Sequence, residues 1–211
     1  MEGGPVPSIE EPRNARSRRT HQALLVAARE LIEQDGLAAL TMTTVAERAG
    51  VSRRATYLHF ASRTDLILAL YRHLGETERL GESLQAVWDS PDAVSAVAEW
   101  AAHIARAHPR ILAVSRAVES ARHDDPGAAA MWEYTMSNWL RGCTRLVAWL
   151  ERDGVLHPGL TVRTAADLLW GLMSWDLLER LIVDRGWSAD EFADRLEALL
   201  TATFVDQGRR L

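Results

Sequence analysis

The chemistry legible in this chain lies between Thr41 and Arg63, where Arg53 and Arg54 stand side by side among hydroxyl-bearing and aromatic residues. Thr41, Thr43 and Ser52 precede the pair; Thr56, Tyr57, His59 and Arg63 follow it. A guanidinium is a planar fork of donors that fits O6 and N7 of guanine together, worth about 1–3 kcal/mol of base discrimination. Threonine offers a methyl to thymine or a hydroxyl to phosphate, while tyrosine and histidine join an apolar body to a polar tip. Arg18 and Arg19 add charge upstream. These residue types suit recognition of a polyanion. Alternatively the arginines are only a solvated helix face, as most surface arginines are.

Other chemistries find little support. Ser115, His123 and Asp124 occur without the strand–turn–helix setting that exposes a nucleophile, and there is no glycine-rich phosphate loop. His103 and His108 are five residues apart, off a common helix face, with no cysteine close by. The sequence therefore predicts no catalytic residue, no metal site and no cofactor.

The elements that must position Arg53 and Arg54 are short. Thr41 to Ala49 reads as a helix with Val45 and Ala46 inward, and Gly50 supplies the left-handed turn that helix ends favour. Thr44 stands where an acidic residue would complete a capping box with Thr41. Val51 plugs the gap behind the turn, and Ser52 caps a second helix anchored by Tyr57 and Phe60. Ser62 and Asp65 form a capping box that opens a third helix. Two short helices joined by a Gly-containing turn, the second rich in Arg, are a helix-turn-helix suited to the major groove.

Residues 41–66 resemble the DNA-binding domain of the tetracycline-repressor (TetR) family. The resemblance rests on Thr41, Val45-Ala46, Ala49-Gly50-Val51-Ser52, Tyr57-x-His59-Phe60 and Ser62-Arg63-x-Asp65-Leu66. Upstream, Ala27-Ala28, Leu31 and Gly36 fall where the family's first helix and its terminator lie. A weaker likeness covers residues 165–200, which look like the last two helices of one branch of these regulators. Departures are modest: Arg54 sits where Gly is frequent, Ala55 and Thr56 replace a Thr and a large apolar residue, and Arg63 replaces Lys.

Charge is distributed to match. The chain totals −5, yet residues 12–64 hold nine Arg against four acids, a local +5, and the remainder is −10. A basic module on an acidic body meets a polyanion basic end first. The single cysteine, Cys143, excludes an intramolecular disulfide and fits a reducing compartment. The N-terminus has no apolar block of the secretory kind, and no long uncharged apolar run suggests a membrane span, so a cytoplasmic protein is expected.

Periodicity is helical throughout. Helices are expected over about 18–34 and from Ser62 to about Leu84, then over roughly 92–107, 110–121, 127–153, 161–184 and 189–205, punctuated by Pro91, Pro109, Pro126 and Pro158. The predicted fold class is all-α: a flexible arm (1–14), a three-helix helix-turn-helix DNA-binding domain (15–62), and a helical ligand-binding and dimerisation domain (63–211).

All eight Trp follow the basic module. Trp132, Met136, Trp139, Cys143, Leu146 and Leu150 share a helix face, which is core unless it lines a cavity. The resemblance implies an inducer-binding cavity in this domain. Its candidate lining is Trp100, His103, Trp132, Met136, Trp139, Trp170 and Met173, with Asn138 and Asp176 as polar anchors. It also implies a four-helix dimer interface from the last two helices. The candidates there are Leu168, Gly171, Leu172, Phe192, Leu196, Leu199, Leu200 and Phe204; otherwise the leucines face only their own subunit.

The expectation is a homodimeric, ligand-responsive transcriptional regulator, in the sense of a repressor, which binds a palindromic double-stranded DNA operator and is released by a small-molecule inducer. The DNA-binding candidates are Arg18, Arg19, Thr41, Thr43, Ser52, Arg53, Arg54, Thr56, Tyr57, His59 and Arg63. The alternative is a helical small-molecule-binding or enzymatic protein with a vestigial basic module.

Overall fold

The computed structural model describes residues 15–206 and 208; the expected arm at 1–14 lies outside the described residues. The α-helices, in chain order, are α1 (Ala15–Asp35), α2 (Met42–Arg48), α3 (Arg53–His59), α4 (Arg63–Thr77), α5 (Leu80–Trp88), α6 (Ala93–Ala121), α7 (Pro126–Arg152), α8 (Val162–Leu172), α9 (Trp175–Leu178) and α10 (Ala189–Phe204). Among the described residues the β pairing is one isolated antiparallel bridge, Leu156 with Val205. The fold is all-α, as predicted.

Two compact units form. The first contains the described residues up to His73 together with Ala113–Ala129; the second contains Leu74–Leu112 and the residues from Ala130 onward. Besides the expected DNA-binding domain (15–62), the first unit takes in most of α4 and a distant segment. Gly127 lies against α4: a Cβ there would be in ordinary contact with Thr64 and Leu68, at 3.7 and 3.5 Å. Asp125 fixes the segment by accepting hydrogen bonds from the backbone N–H groups of Gly127 (2.8 Å) and Ala128 (3.0 Å) at the start of α7.

Within the first unit, local rules determine the helix-turn-helix. Leu24, Ala27, Ala28 and Leu31 form the buried stripe of α1, which stops at Gly36 with φ of 77°. Thr41 Oγ1 accepts from the Thr44 backbone N–H at 3.1 Å, and the Thr41 N–H donates to Thr44 Oγ1 at 3.0 Å. Thr44 thus completes the capping box that was expected to need an acidic residue, because its hydroxyl is an acceptor at the same place. At the far end of α2 the N–H of Gly50 (φ 65°) donates to Glu47 O at 3.1 Å, and that of Val51 to Ala46 O at 2.9 Å. This is a Schellman turn, and its left-handed residue costs glycine little. Ser52 Oγ then accepts from Ala55 N at 3.1 Å to start α3. Ser62 Oγ accepts from Asp65 N at 3.0 Å and donates to its carboxylate at 2.9 Å, opening α4.

The second unit corrects three expected helices. The helix expected from Ser62 to Leu84 breaks after Thr77, where Arg79 takes the left-handed conformation (φ 53°) before α5 begins. Pro109 does not divide α6, which is continuous from Ala93 to Ala121. The expected 161–184 helix breaks at Met173, and Ser174 (ψ 142°) caps α9 by accepting from Leu177 N at 3.3 Å. Glu179–Asp184 then widens into a π-helical turn, which Gly186 (φ 70°) follows.

The core of this unit is aromatic. Trp88 meets Trp100 edge-on at 5.8 Å, Trp100 lies 6.4 Å from His103, and His103 meets His108 at 5.8 Å. His108 stacks on Trp139 at 5.0 Å, and Trp175 closes a triangle with both at 4.9 and 4.8 Å. Five-residue spacing places two side chains about 140° apart on a helix, yet these two imidazoles meet because both reach into one aromatic cluster. Burial pushes the His108 pKa down to about 3 and that of His103, helped by the Arg106 charge, to about 4. Both rings are therefore neutral at pH 7.

Candidate nucleic-acid interface

On α3 the side chains sort into two exposed columns, each built from an i, i+4 pair. Arg53 and Tyr57 form the first: the guanidinium lies over the phenol ring at 5.6 Å from its centroid, a cation–π contact that holds both. This column borders a 420 Å³ concavity whose lining also includes Thr41, Met42, Thr43 and Arg63. Arg54 and Leu58 form the second column. Arg54 is exposed and has no polar or charged partner among the described residues. Leu58 is 78% exposed, the highest value among the exposed large hydrophobic residues.

Three candidates have other duties. Thr56 is fully buried, with its hydroxyl 3.5 Å from Ser52 O. It anchors α3 in the place of a large apolar residue and does not reach a ligand. Arg63 donates Nε–H to Leu40 O at 2.7 Å and an Nη2 hydrogen to Leu37 O at 2.6 Å. Its guanidinium ties α4 to the turn before α2, so the expected role as a phosphate contact is replaced by a structural one. His59 is half-buried against His21 (5.7 Å) and Phe60 (6.4 Å), and burial lowers its pKa. That leaves His59 largely uncharged at pH 7.

The remaining candidates are available at the surface. Thr41, Thr43 and Ser52 are exposed, although Thr41 and Ser52 already cap helices. Arg18 and Arg19 are exposed on α1, and Arg19 borders a second concavity with Val26, Glu30 and Arg48. Arg48 is held by Asp35 (3.3 Å), Gln34 (3.1 Å) and Glu30 (3.7 Å), which braces α2 on α1. Leu58 was missed by sequence reasoning, although its i+4 relation to Arg54 was there to be read.

In the second unit the structure brings Trp100, His103 and Trp139 into one ring cluster with His108 and Trp175, neither of which was in the expected lining. Trp170 donates its indole N–H to Met136 O at 3.2 Å, and Met173 lies on Cys143, with sulfurs 3.4 Å apart. Trp132 is half-buried. Asn138 accepts from Arg141, and Asp176 is exposed, so neither is a polar group buried among the aromatics as anticipated. The polar groups buried among the aromatics are instead the two imidazoles, with His103 Nδ1 2.9 Å from Ser83 Oγ, and the indole N–H groups of Trp100 and Trp175; these two indoles have no hydrogen-bond partner among the described residues. No group of three or more His, Cys, Asp or Glu that could hold a metal occurs among the described residues.

The expected dimer residues also divide. Phe192, Leu196, Leu200 and Phe204 are buried in their own protomer, because they form the inward stripe of α10. Leu168 (43% exposed), Leu199 (45%) and Gly171 remain on the surface, and Leu172 is half-buried. No helix among the described residues is long and apolar enough to cross a membrane.

An N-terminal helix-turn-helix that presents arginines on its second helix, followed by a helical unit, defines a class of regulatory DNA-binding protein. Residues 24–70 match the family model described as bacterial regulatory proteins, tetR family. Residues 24–70 therefore form a DNA-binding domain of the tetR type. Its whole-chain fold is similar to a putative transcriptional regulator from Saccharomonospora viridis in complex with choline (TM-score 0.73, 16% identity, 89% of this chain and 98% of that one). It is also similar to FadR from Bacillus subtilis in complex with stearoyl-CoA (TM-score 0.68, 17% identity, 85% and 97%). A third similar structure is NalD, the secondary repressor of the MexAB-OprM multidrug efflux pump in Pseudomonas aeruginosa (TM-score 0.66, 24% identity, 90% and 99%).

Proposed function

We propose that this chain is a ligand-responsive transcriptional regulator that binds a palindromic operator as a homodimer, in the sense of a repressor released by a small-molecule inducer. The observation that carries the reading is the exposed face of α3, where Arg53 and Tyr57 share a concavity with Thr43 and the neighbouring Arg54 is uncommitted. A face of this composition has donors for guanine edges and hydroxyls for phosphates. One seven-residue helix buries too little surface to be specific. Two copies spaced by about 34–36 Å read a palindrome across one turn of duplex. Leu168, Gly171 and Leu199 on α8 and α10 are the surface offered to the second copy.

The ligand is assigned to the Trp-rich unit, and its similarity to proteins that hold choline or stearoyl-CoA supports a small molecule there. Helices α4, α6 and α7 each have residues in both compact units. A ligand that favours one arrangement of these helices would change the separation of the two α3 helices and lower operator affinity. That requires different ligand affinity for the two states.

Selection from a random double-stranded DNA pool at physiological salt tests the reading. Enrichment of a palindrome is expected, and Arg54→Ala should relax preference at a guanine within it. A folded, dimeric protein that enriches no sequence refutes it and favours the helical binding protein with a vestigial module.

A further inference from the structure

We infer that Leu58 reads the 5-methyl group of a thymine, next to a guanine read by Arg54, so that the second column of α3 specifies a guanine–thymine element in each half-site. The inference rests on the DNA-binding reading above and adds which base class this column takes. Leu58 is 78% exposed on a helix where Thr56 and Phe60 supply the buried anchors. An apolar side chain so exposed gains nothing from the fold. One turn from Arg54 and near the C-terminal end of α3, it finds its best complement in the major groove in the thymine methyl, the one aliphatic group among edges that otherwise carry donors, acceptors and ring C–H.

The column's geometry sets the spacing. Arg54 and Leu58 are four residues apart, about 6 Å along the helix axis. With a rise of about 3.4 Å per base pair, the thymine lies within about two base steps of the guanine, on either strand. The first column cannot take this role, because Arg53 is laid over Tyr57 and both are polar-tipped. Arg54 has no competing partner among the described residues, so the fork is free for guanine.

The test uses the full-length protein and the operator obtained by selection. Each thymine is replaced singly by deoxyuridine, which removes only the methyl group, and Kd is measured for the wild type and for Leu58→Ala. For the wild type an approximately fourfold loss is expected at a thymine within about two steps of the Arg54-sensitive guanine, the effect of burying one methyl. Leu58→Ala should bind the unmodified operator about as weakly as the wild type binds the deoxyuridine form, and should lose its sensitivity at that thymine. Circular dichroism should show its fold unchanged, since the side chain is exposed. Equal wild-type affinity for every deoxyuridine operator overturns the inference, as does a half-site without thymine near that guanine, or a penalty that persists in Leu58→Ala. In those cases the unmodified operator is still bound, so the DNA-binding reading stands; if no operator is selected at all, both fall.

Discussion

Arg63→Ala separates a structural arginine from a DNA-binding one. The guanidinium donates to Leu40 O at 2.7 Å and Leu37 O at 2.6 Å, and Leu40 is itself buried. A hydrogen bond from a charged donor contributes about 1.5–3 kcal/mol, and a buried carbonyl left without a partner costs about 1–3 kcal/mol. Water can replace the donor at the half-buried Leu37 but not readily at Leu40. The loss should therefore come to about 2–3 kcal/mol, read as a lower urea midpoint at unchanged m-value. Arg63→Lys should recover only part of it, because an ammonium has no planar fork to span two carbonyls. The slope of log Kd against log salt on the operator should stay as in the wild type. The reverse pattern, unchanged stability with the slope flattened by about 0.9, is the signature of one lost phosphate contact and would refute the structural assignment.

Acid should destabilise the second unit ahead of general acid unfolding. His103 and His108 are depressed to about 4 and about 3 by burial, so an unfolded chain binds protons below about pH 6.5 that the folded chain refuses. Their stabilising effect is whole above pH 6.5 and declines as pH falls towards those values, by about 2 kcal/mol per histidine at pH 5. Urea midpoints at pH 7.5 and pH 5, compared with a His103→Gln, His108→Gln double variant that should flatten the difference, check this. Gly50→Ala should cost about 1–2 kcal/mol through its left-handed φ of 65° although its Cβ would meet open space; a melting temperature equal to the wild type contradicts it. Leu199→Glu, at a position 45% exposed, should leave the helix content intact and convert dimer to monomer in sedimentation. A dimer that persists removes α10 from the proposed interface.

The helix-turn-helix was legible from the chain because its determinants are local. Thr41, Gly50, Ser52 and Ser62 each act on backbone groups within five residues, and a cap or a left-handed turn needs no distant partner. The same locality made the polar face of α3 visible. Thr44 differed only because a hydroxyl can take the acceptor's place of a carboxylate. The ends of the long helices were not legible, since Arg79 and Met173 carry no breaking residue of their own, and Pro109 is accommodated within α6.

What the sequence determined by itself was therefore the all-α class, the helix-turn-helix module and the chemical character of its surface. Tertiary structure alone decided which of two equivalent-looking residues does which task. Arg54 is open while Arg63 is spent on two carbonyls more than twenty residues away in the chain. Leu199 is exposed while Leu196 and Leu200 are buried on the same helix. His103 and His108 meet through an aromatic cluster assembled from four different helices. Burial and long-range hydrogen bonding depend on what packs alongside, and a one-dimensional pattern records the residue but not its neighbour.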